Sequence, residues 1–180
     1  MFNPCPLSSQ KEAIDLISFY EKISNIEPSL FLNEKIAVRR ISGDDDLWVA
    51  TVECALDPTQ RELVIPAGFS IGRAYLNPCD NYPCVILDKR GKRIGFINFC
   101  KWLASGEATT WSYYIDKNSQ GNGYGKSMAE MAVRLLKCAC PDLPVKLAVD
   151  IGNEKAMNIY KSLGFHDSGE FDGDEHIFVM

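Results

Sequence analysis

No stretch of this sequence strings together the roughly 18 apolar residues that a membrane-crossing helix requires, and no membrane partner is expected. An excess of positive charge is also missing. Lys plus Arg is 19 against 24 for Asp plus Glu, a net charge of -5. Without a dominant basic face, nucleic acid is not expected as the main partner. The opening MFNPCPLSSQ lacks both the basic start and the apolar core of a secretion signal. A cytoplasmic protein is therefore expected, with its seven scattered cysteines reduced. Cys138-Ala-Cys140 lacks zinc-ligand spacing and has no second pair nearby, so no metal is expected. Internal repeats and low-complexity tracts are absent as well.

What is present suits one folded domain spanning residues 1–180. At 180 residues, 46% hydrophobic and 24% charged, the chain can bury a full core. Ser9-Gln10-Lys11-Glu12 has the form of a capping box, and Ile14, Leu16, Ile17, Tyr20 and Ile23 follow at helical spacing. A helix over residues 9–24 is expected, within an N-terminal extension of about 35 residues. IAVRRIS (36–42) reads as a strand, and DDDLWVATVECALD (44–57) as a helix with an acidic first turn. A second helix is expected from Thr59 to about Leu76, interrupted at Pro66 and Gly68. PCVILD (83–88) and KRIGFINFCKW (92–102) flank a tight turn at Lys89-Arg90-Gly91, and EATTWSYYID (107–116) alternates like a third strand. A long helix then runs to about Cys140 and stops before Pro141 and Pro144. VKLAVDI (145–151), NEKAMNIYKSLGF (153–165) and DEHIFVM (174–180) read as strand, helix and strand. The order predicts a mixed α/β domain with helices on both faces.

Between the third strand and the long helix lies SQGNGYGKS, residues 119–127. A glycine loop opening a helix turns backbone N–H groups toward an anion, and the helix dipole assists. A P-loop would need glycine at position 120, where Gln120 stands. A dinucleotide fingerprint starting at Gly121 would need glycine where Lys126 stands. The spacing that fits is Gln-x-x-Gly-x-Gly, carried by Gln120, Gly123 and Gly125. About 30 residues later, Asn153, Ala156, Tyr160, Gly164 and Phe165 fit N-x-x-A-x-x-x-Y-x-x-x-G-F. In this order and separation, the two motifs resemble those of the GNAT-type N-acetyltransferase family, over at least residues 82–180.

That resemblance implies the family's fold: a central, mostly antiparallel mixed sheet of about six to seven strands, with a V-shaped splay between the two central strands. Residues 36–180 would form this core. It implies acetyl-coenzyme A as the acetyl donor. Gly121, Gly123 and Gly125 would let the backbone approach a pyrophosphate. Gln120, Asn122, Tyr124 and Lys126 would complete that loop. Tyr113, Tyr114 and Ile115 would offer a strand edge to the pantetheine amides. Asn153 would touch the coenzyme as well as cap its helix. A backbone N–H near Tyr114 or Ile115 would polarise the thioester carbonyl. The resemblance assigns Tyr160 as the proton donor to the departing thiolate.

The base stays open among Glu107, Asp150 and ordered water. His166 and His176 are expected to be structural, and Cys100 and Cys138 buried thiols. The resemblance places the acceptor wall on residues 44–76 and on the hairpin GEFDGDEHIFVM. There Asp44, Asp45, Asp46, Glu53, Asp57, Glu170, Asp172, Asp174 and Glu175 would favour a cationic small-molecule amine. LDPTQRELVIPAGFSIGRAYLNP also looks loosely like the polyamine acetyltransferase branch. A protein or peptide N-acetyltransferase and a non-catalytic acetyl-coenzyme A sensor remain alternatives, and the family leaves room for a homodimer.

Overall fold

Strands form where apolar and bulky residues alternate in the middle and at the end of the chain. The structure, a computed structural model, describes residues 17–51, 63–102 and 107–180. Strands β1 (Ile36–Arg40), β2 (Asn81–Asp88), β3 (Arg93–Lys101) and β4 (Thr109–Ile115) form an antiparallel sheet in that order. Strands β5 (Lys146–Asp150), β6 (His166–Asp172) and β7 (Glu175–Val179) form a second sheet, ordered β5-β7-β6. Among the described residues one parallel bridge, Thr109 to Val145, joins the two, and there the Thr109 N–H donates to the Pro144 carbonyl at 2.9 Å. Beyond the bridge β4 and β5 part and leave a V-shaped opening. The mostly antiparallel, seven-strand arrangement is the expected one, divided into two sheets at the V.

Among the described residues four α-helices cover both faces: α1 (Phe19–Ser24), α2 (Ala67–Leu76), α3 (Tyr124–Ala139) and α4 (Glu154–Ser162). On one face Phe19, Ile23, Met128, Leu135 and Tyr160 pack against Ile97, Phe99 and Trp111. On the other, Val49 and Ala67 pack against Val85, Phe96 and Tyr114. A bulge in β3 sets the junction between the faces. Ile86 lies opposite Gly95 but Leu87 lies opposite Arg93, so Ile94 is the extra residue. A Cβ on Gly95 would run into the Tyr114 carbonyl oxygen, so only glycine lets β3 and β4 lie this close.

Several expected elements differ in detail. Within the described residues the first helix is α1 alone. Its capping box is Ser18 with Glu21, each accepting the other's backbone N–H at 3.2 and 2.9 Å; Ser9–Glu12 lies outside the described residues. Within the described residues the helix expected over 44–57 is a 3-10 turn, Asp44–Ala50, with the Asp46 carboxylate accepting from the Ser42 N–H at 3.1 Å; residues 52–57 lie outside the described residues. Pro66 is the N-cap of α2, so the helix starts there and Gly68 lies inside it without a break, whereas an interruption was expected at both; residues 59–62 of the expected span lie outside the described residues. Strand β6 begins at His166. HDSGEFD has no apolar alternation because every residue on this edge strand is exposed. Cys84, Cys100, Cys138 and Cys140 are free thiols. Cys79 is disulfide-bonded, which corrects the expectation of reduced cysteines throughout.

Candidate active site

The parting of β4 and β5 opens a cavity of about 1180 Å³ that runs through the sheet. Every residue expected to meet a coenzyme lines it except Asn122. The Asn122 amide turns back to donate to the Ser119 and Gln120 carbonyls, at 3.0 and 3.2 Å. Gly121 and Gly123 have φ of 83° and 76°, the left-handed conformation that glycine adopts without strain. Gly123 is the N-cap of α3 and has no side chain to satisfy the first amides, and the first residues of the helix, Tyr124, Gly125 and Lys126, line the cavity with it. The loop thus has the local form that an anion requires.

Backbone directions along β4 follow from its two ends. The Thr109 N–H points toward β5, and the Asp116 N–H donates to Ile94 of β3 at 2.9 Å. Alternation then turns the N–H groups of Trp111, Tyr113 and Ile115 into the V and those of Ser112 and Tyr114 toward β3. Of the two residues considered for a polarising N–H, Ile115 faces the opening and Tyr114 does not. The Gln120 side chain donates to the Ile115 carbonyl at 2.9 Å, so it braces this end of the strand. Tyr114 turns its ring to the α2 face, where its hydroxyl donates to the Val49 carbonyl. Tyr113 donates to the Gly125 carbonyl at 3.1 Å and ties β4 to the first turn of α3.

Tyr160 lies inside the cavity, 9% exposed, with the rings of Trp111 and Phe165 about its own at 6.1 and 5.9 Å. Burial pushes its phenol up to about 12; the Trp111 and Tyr113 side chains act in the opposite direction. The phenol therefore stays protonated across the physiological range. The buried Trp111 indole Nε1 has no hydrogen-bond partner among the described residues. Asn153 caps α4, its side-chain oxygen accepting from the Ala156 N–H at 3.1 Å, and also lines the cavity. Lys126 lines the mouth beside Glu130, 4.0 Å away.

The acid wall is smaller than expected. Among the described acids of that set, Asp172 and Glu175 line the cavity, together with Asp150. Glu175 lies opposite Asp172 on one side and Asp150 on the other. Burial, then these two neighbours, push its carboxyl up from the ordinary value. Sequence periodicity could not reveal this row, because strand register creates it. Glu170 pairs with Lys146 at 3.1 Å, and Asp46 is held by Arg39 and Arg93. Glu53 and Asp57 lie outside the described residues. Glu107, His166 and His176 do not line the cavity. His176 instead meets Asp167 at 2.7 Å on the β6–β7 hairpin, a partner acid that the sequence did not reveal. Among the described residues no group of three His, Cys, Asp or Glu side chains could hold a metal ion. No described helix is long and apolar enough to cross a membrane.

The sequence model of the Acetyltransferase (GNAT) family matches residues 45–165. No curated protein matches the chain. Among solved structures, spermidine N-acetyltransferase from Vibrio cholerae, in complex with CoA and spermine, is 16% identical with a TM-score of 0.59. The match covers 82% of this chain and 95% of that one. Ribosomal-protein-S5-alanine acetyltransferase from Vibrio fischeri is 18% identical with a TM-score of 0.57, covering 83% and 93%. A domain from Methanocaldococcus jannaschii is 15% identical with a TM-score of 0.64, covering 82% and 99%. At these identities the likeness is one of fold.

Proposed function

The chain belongs to the GNAT acetyltransferase family, and on that premise we propose that it transfers an acetyl group from acetyl-coenzyme A directly to a primary amine of a small molecule. The observation that carries this reading is one cavity shared by the glycine loop, the open edge of β4 and the buried Tyr160 phenol. The loop suits the coenzyme: Gly121 and Gly123 expose backbone at positive φ, and Gly125 leaves room beside Tyr113. When bound, the coenzyme supplies an acetyl group activated as a thioester.

The chain's own residues do the rest. Amides at the start of α3 hold the phosphates, and Lys126 adds charge. The Ile115 N–H stabilises negative charge that develops on the carbonyl oxygen. Tyr160 keeps its proton until a strong base forms beside it, and then gives it up. An intact Tyr160 at this point counts against a coenzyme sensor without turnover. Asp150, Asp172 and Glu175 draw a cationic amine to the wall and deprotonate it there directly or through water, whereas Glu107 lies away from the cavity and takes no part. A polyamine is one acceptor of this description. A peptide N-terminus is the second reading, favoured by Arg73, Lys101 and Lys155, cations of the same wall that would repel a polycation. A homodimer stays part of the proposal, to be read by sedimentation.

The test is thiol release from acetyl-coenzyme A in the presence of spermidine, spermine, amino acids, aminoglycosides and short peptides. Turnover with an amine of any class supports the proposal, and the amine used decides between the readings. Tight coenzyme binding with no turnover across the panel would sink the small-molecule reading.

A further inference from the structure

The cavity continues past the V to the α2 face of the sheet, where Ile65, Phe69, Arg73, Asn98, Thr110 and Ser112 form its wall. Asn98 lies in the middle of β3 and is 3% exposed. The two ends of its carboxamide are fixed by a relay. The Asn77 carbonyl can only accept, so Asn81 must present its Nδ2 there, at 3.0 Å. Asn81 therefore turns its Oδ1 to Asn98, which must present its own Nδ2, at 3.0 Å. The Asn98 Oδ1 is left on the far side of the amide. It is buried and has no hydrogen-bond partner among the described residues. Ser70, Arg73, Thr110 and Ser112 are donors in the same wall, and none of them reaches it. A buried acceptor without a donor is a cost that folded chains avoid.

We infer that the Asn98 Oδ1 accepts a hydrogen bond from an N–H of the acceptor amine, which makes Asn98 a specificity-determining residue of the acceptor site. The inference rests on the acetyltransferase reading above and names the group that recognises its second substrate. The donor belongs to the acceptor and not to the coenzyme. Asn98 is one strand in from the V, and its side chain shares the face of Phe96, which packs with Val49 and Ala67. The glycine loop and the inward N–H groups of β4 lie on the other side. A ligand that reaches Asn98 enters across the sheet, along the exposed ring of Phe69. Such a site prefers an amine carried on an apolar stem. It rejects an alcohol of the same shape only weakly, because a hydroxyl also donates. It rejects a tertiary amine without an N–H strongly.

The experiment follows the Asn98 carboxamide by NMR in protein saturated with coenzyme A. The probes are n-butylamine, spermidine and tetra-alanine, with N,N-dimethylbutylamine buffered above its pKa as the counterpart without an N–H. The expected result is a saturable shift of the Asn98 side-chain signal with at least one of the three donors. Asn98→Ala should weaken that donor about tenfold, the worth of one hydrogen bond to a polar group, with coenzyme affinity within about twofold of the parent. Asn81→Ala removes the acceptor that fixes the Asn98 amide, frees that amide to turn and should weaken amine binding. A purely structural role for Asn98 would lower thermal stability in Asn98→Ala and leave amine affinity alone. Unchanged amine affinity in that variant, or an Asn98 signal unmoved by all three donors, overturns the inference. Loss of coenzyme A binding by the parent protein would overturn the acetyltransferase reading beneath it.

Discussion

Asp46 and Asn98 are almost equally buried, at 2% and 3% exposure, yet their oxygens are treated in opposite ways. The Asp46 carboxylate receives Arg39 through both guanidinium nitrogens, at 2.6 and 2.8 Å, Arg93 at 3.1 Å and the Ser42 N–H at 3.1 Å. Among the described residues the Asn98 Oδ1 receives no hydrogen bond, and the Trp111 Nε1–H in the same cavity donates none. At Asp46 the chain closes every valence because that cluster only joins β1, β3 and the 3-10 turn. In the cavity it leaves polar atoms open at the points where a second molecule would complete them. Variants on the two sides should therefore separate activity from stability.

The sharpest separation is at Tyr160. Tyr160→Phe keeps the ring stack with Trp111 and Phe165 and removes one hydroxyl. The expected loss is about a thousandfold in kcat, or about 4 kcal/mol of barrier, with coenzyme affinity and melting temperature nearly unchanged. Stopped thiol-release kinetics and calorimetry measure the two halves. Undiminished turnover would remove the proton-donor role. Because burial raises this phenol to about 12, its protonated form persists as pH rises. Its titration should cause no basic loss of activity below about pH 11. Next in size, Gly95→Ala blurs the comparison deliberately. Its Cβ meets the Tyr114 backbone, so β4 must shift, at a stability cost of about 3 kcal/mol. The Ile115 N–H shifts with it, so activity per folded molecule should fall as well.

The two sides were unequally legible from sequence. The glycine loop and the Asn153–Phe165 motif announce themselves because the chemistry fixes their spacing along one chain segment. The family resemblance that this spacing carries implied Tyr160, Gly123 and the edge of β4. Asn98 was hidden in IGFINFC, where it reads as one polar residue in an apolar strand. Its meaning depends on Asn81 and Asn77, which strand pairing and a turn bring to it. The only sequence signal was a carboxamide in a run otherwise suited to the core. The Asp150, Glu175 and Asp172 row was invisible for the same reason, since register assembles it from three strands. Asp46 was misassigned to the acceptor wall because an acidic run looks alike whether it faces solvent or two arginines.

Asp46→Asn tests the closed side. It keeps the shape and removes the charge that both arginines share, and should cost about 2 kcal/mol. The figure is held down because Arg39 is 43% exposed and screened by water. Turnover per folded molecule should stay the same. The parent should also show an acid-dependent loss that the variant lacks. Its Asp46 carboxyl is lowered from 3.8 to about 2, first by the Arg39 hydrogen bonds. A lowered carboxyl stabilises the fold above its unfolded value and loses that contribution as pH falls toward the folded one. The slope of stability between about pH 4 and pH 2 should therefore flatten in Asp46→Asn. Urea titrations at several pH values measure it, and parallel slopes in the two proteins would contradict the role of the ion cluster.

The smallest expected effect lies where the two sides meet, at Gly123. Asn33 accepts from Ser127 of α3 at 3.2 Å and from the Lys35 and Ile36 amides at 2.9 and 3.0 Å. This ties the start of β1 to the glycine loop and holds Lys35 over Gly123, where an added Cβ would lie 2.7 Å from Nζ. The ammonium ends a flexible side chain and can swing away, so the clash itself is cheap. The φ of 76° is not, because any L side chain there costs about 1 kcal/mol. Gly123→Ala should lose about that much stability and bind coenzyme about tenfold more weakly, since the loop must also give up its closest approach to the phosphates. If Lys35 only rests on the loop, Lys35→Ala will leave the coenzyme affinity of both parent and Gly123→Ala unchanged. If it supplies charge to the phosphates, Lys35→Ala will weaken the parent severalfold and add little in Gly123→Ala, where the ammonium has already been displaced. Coenzyme titrations of the four proteins decide between these outcomes. They also show whether the segment before β1 belongs to the scaffold or to the site.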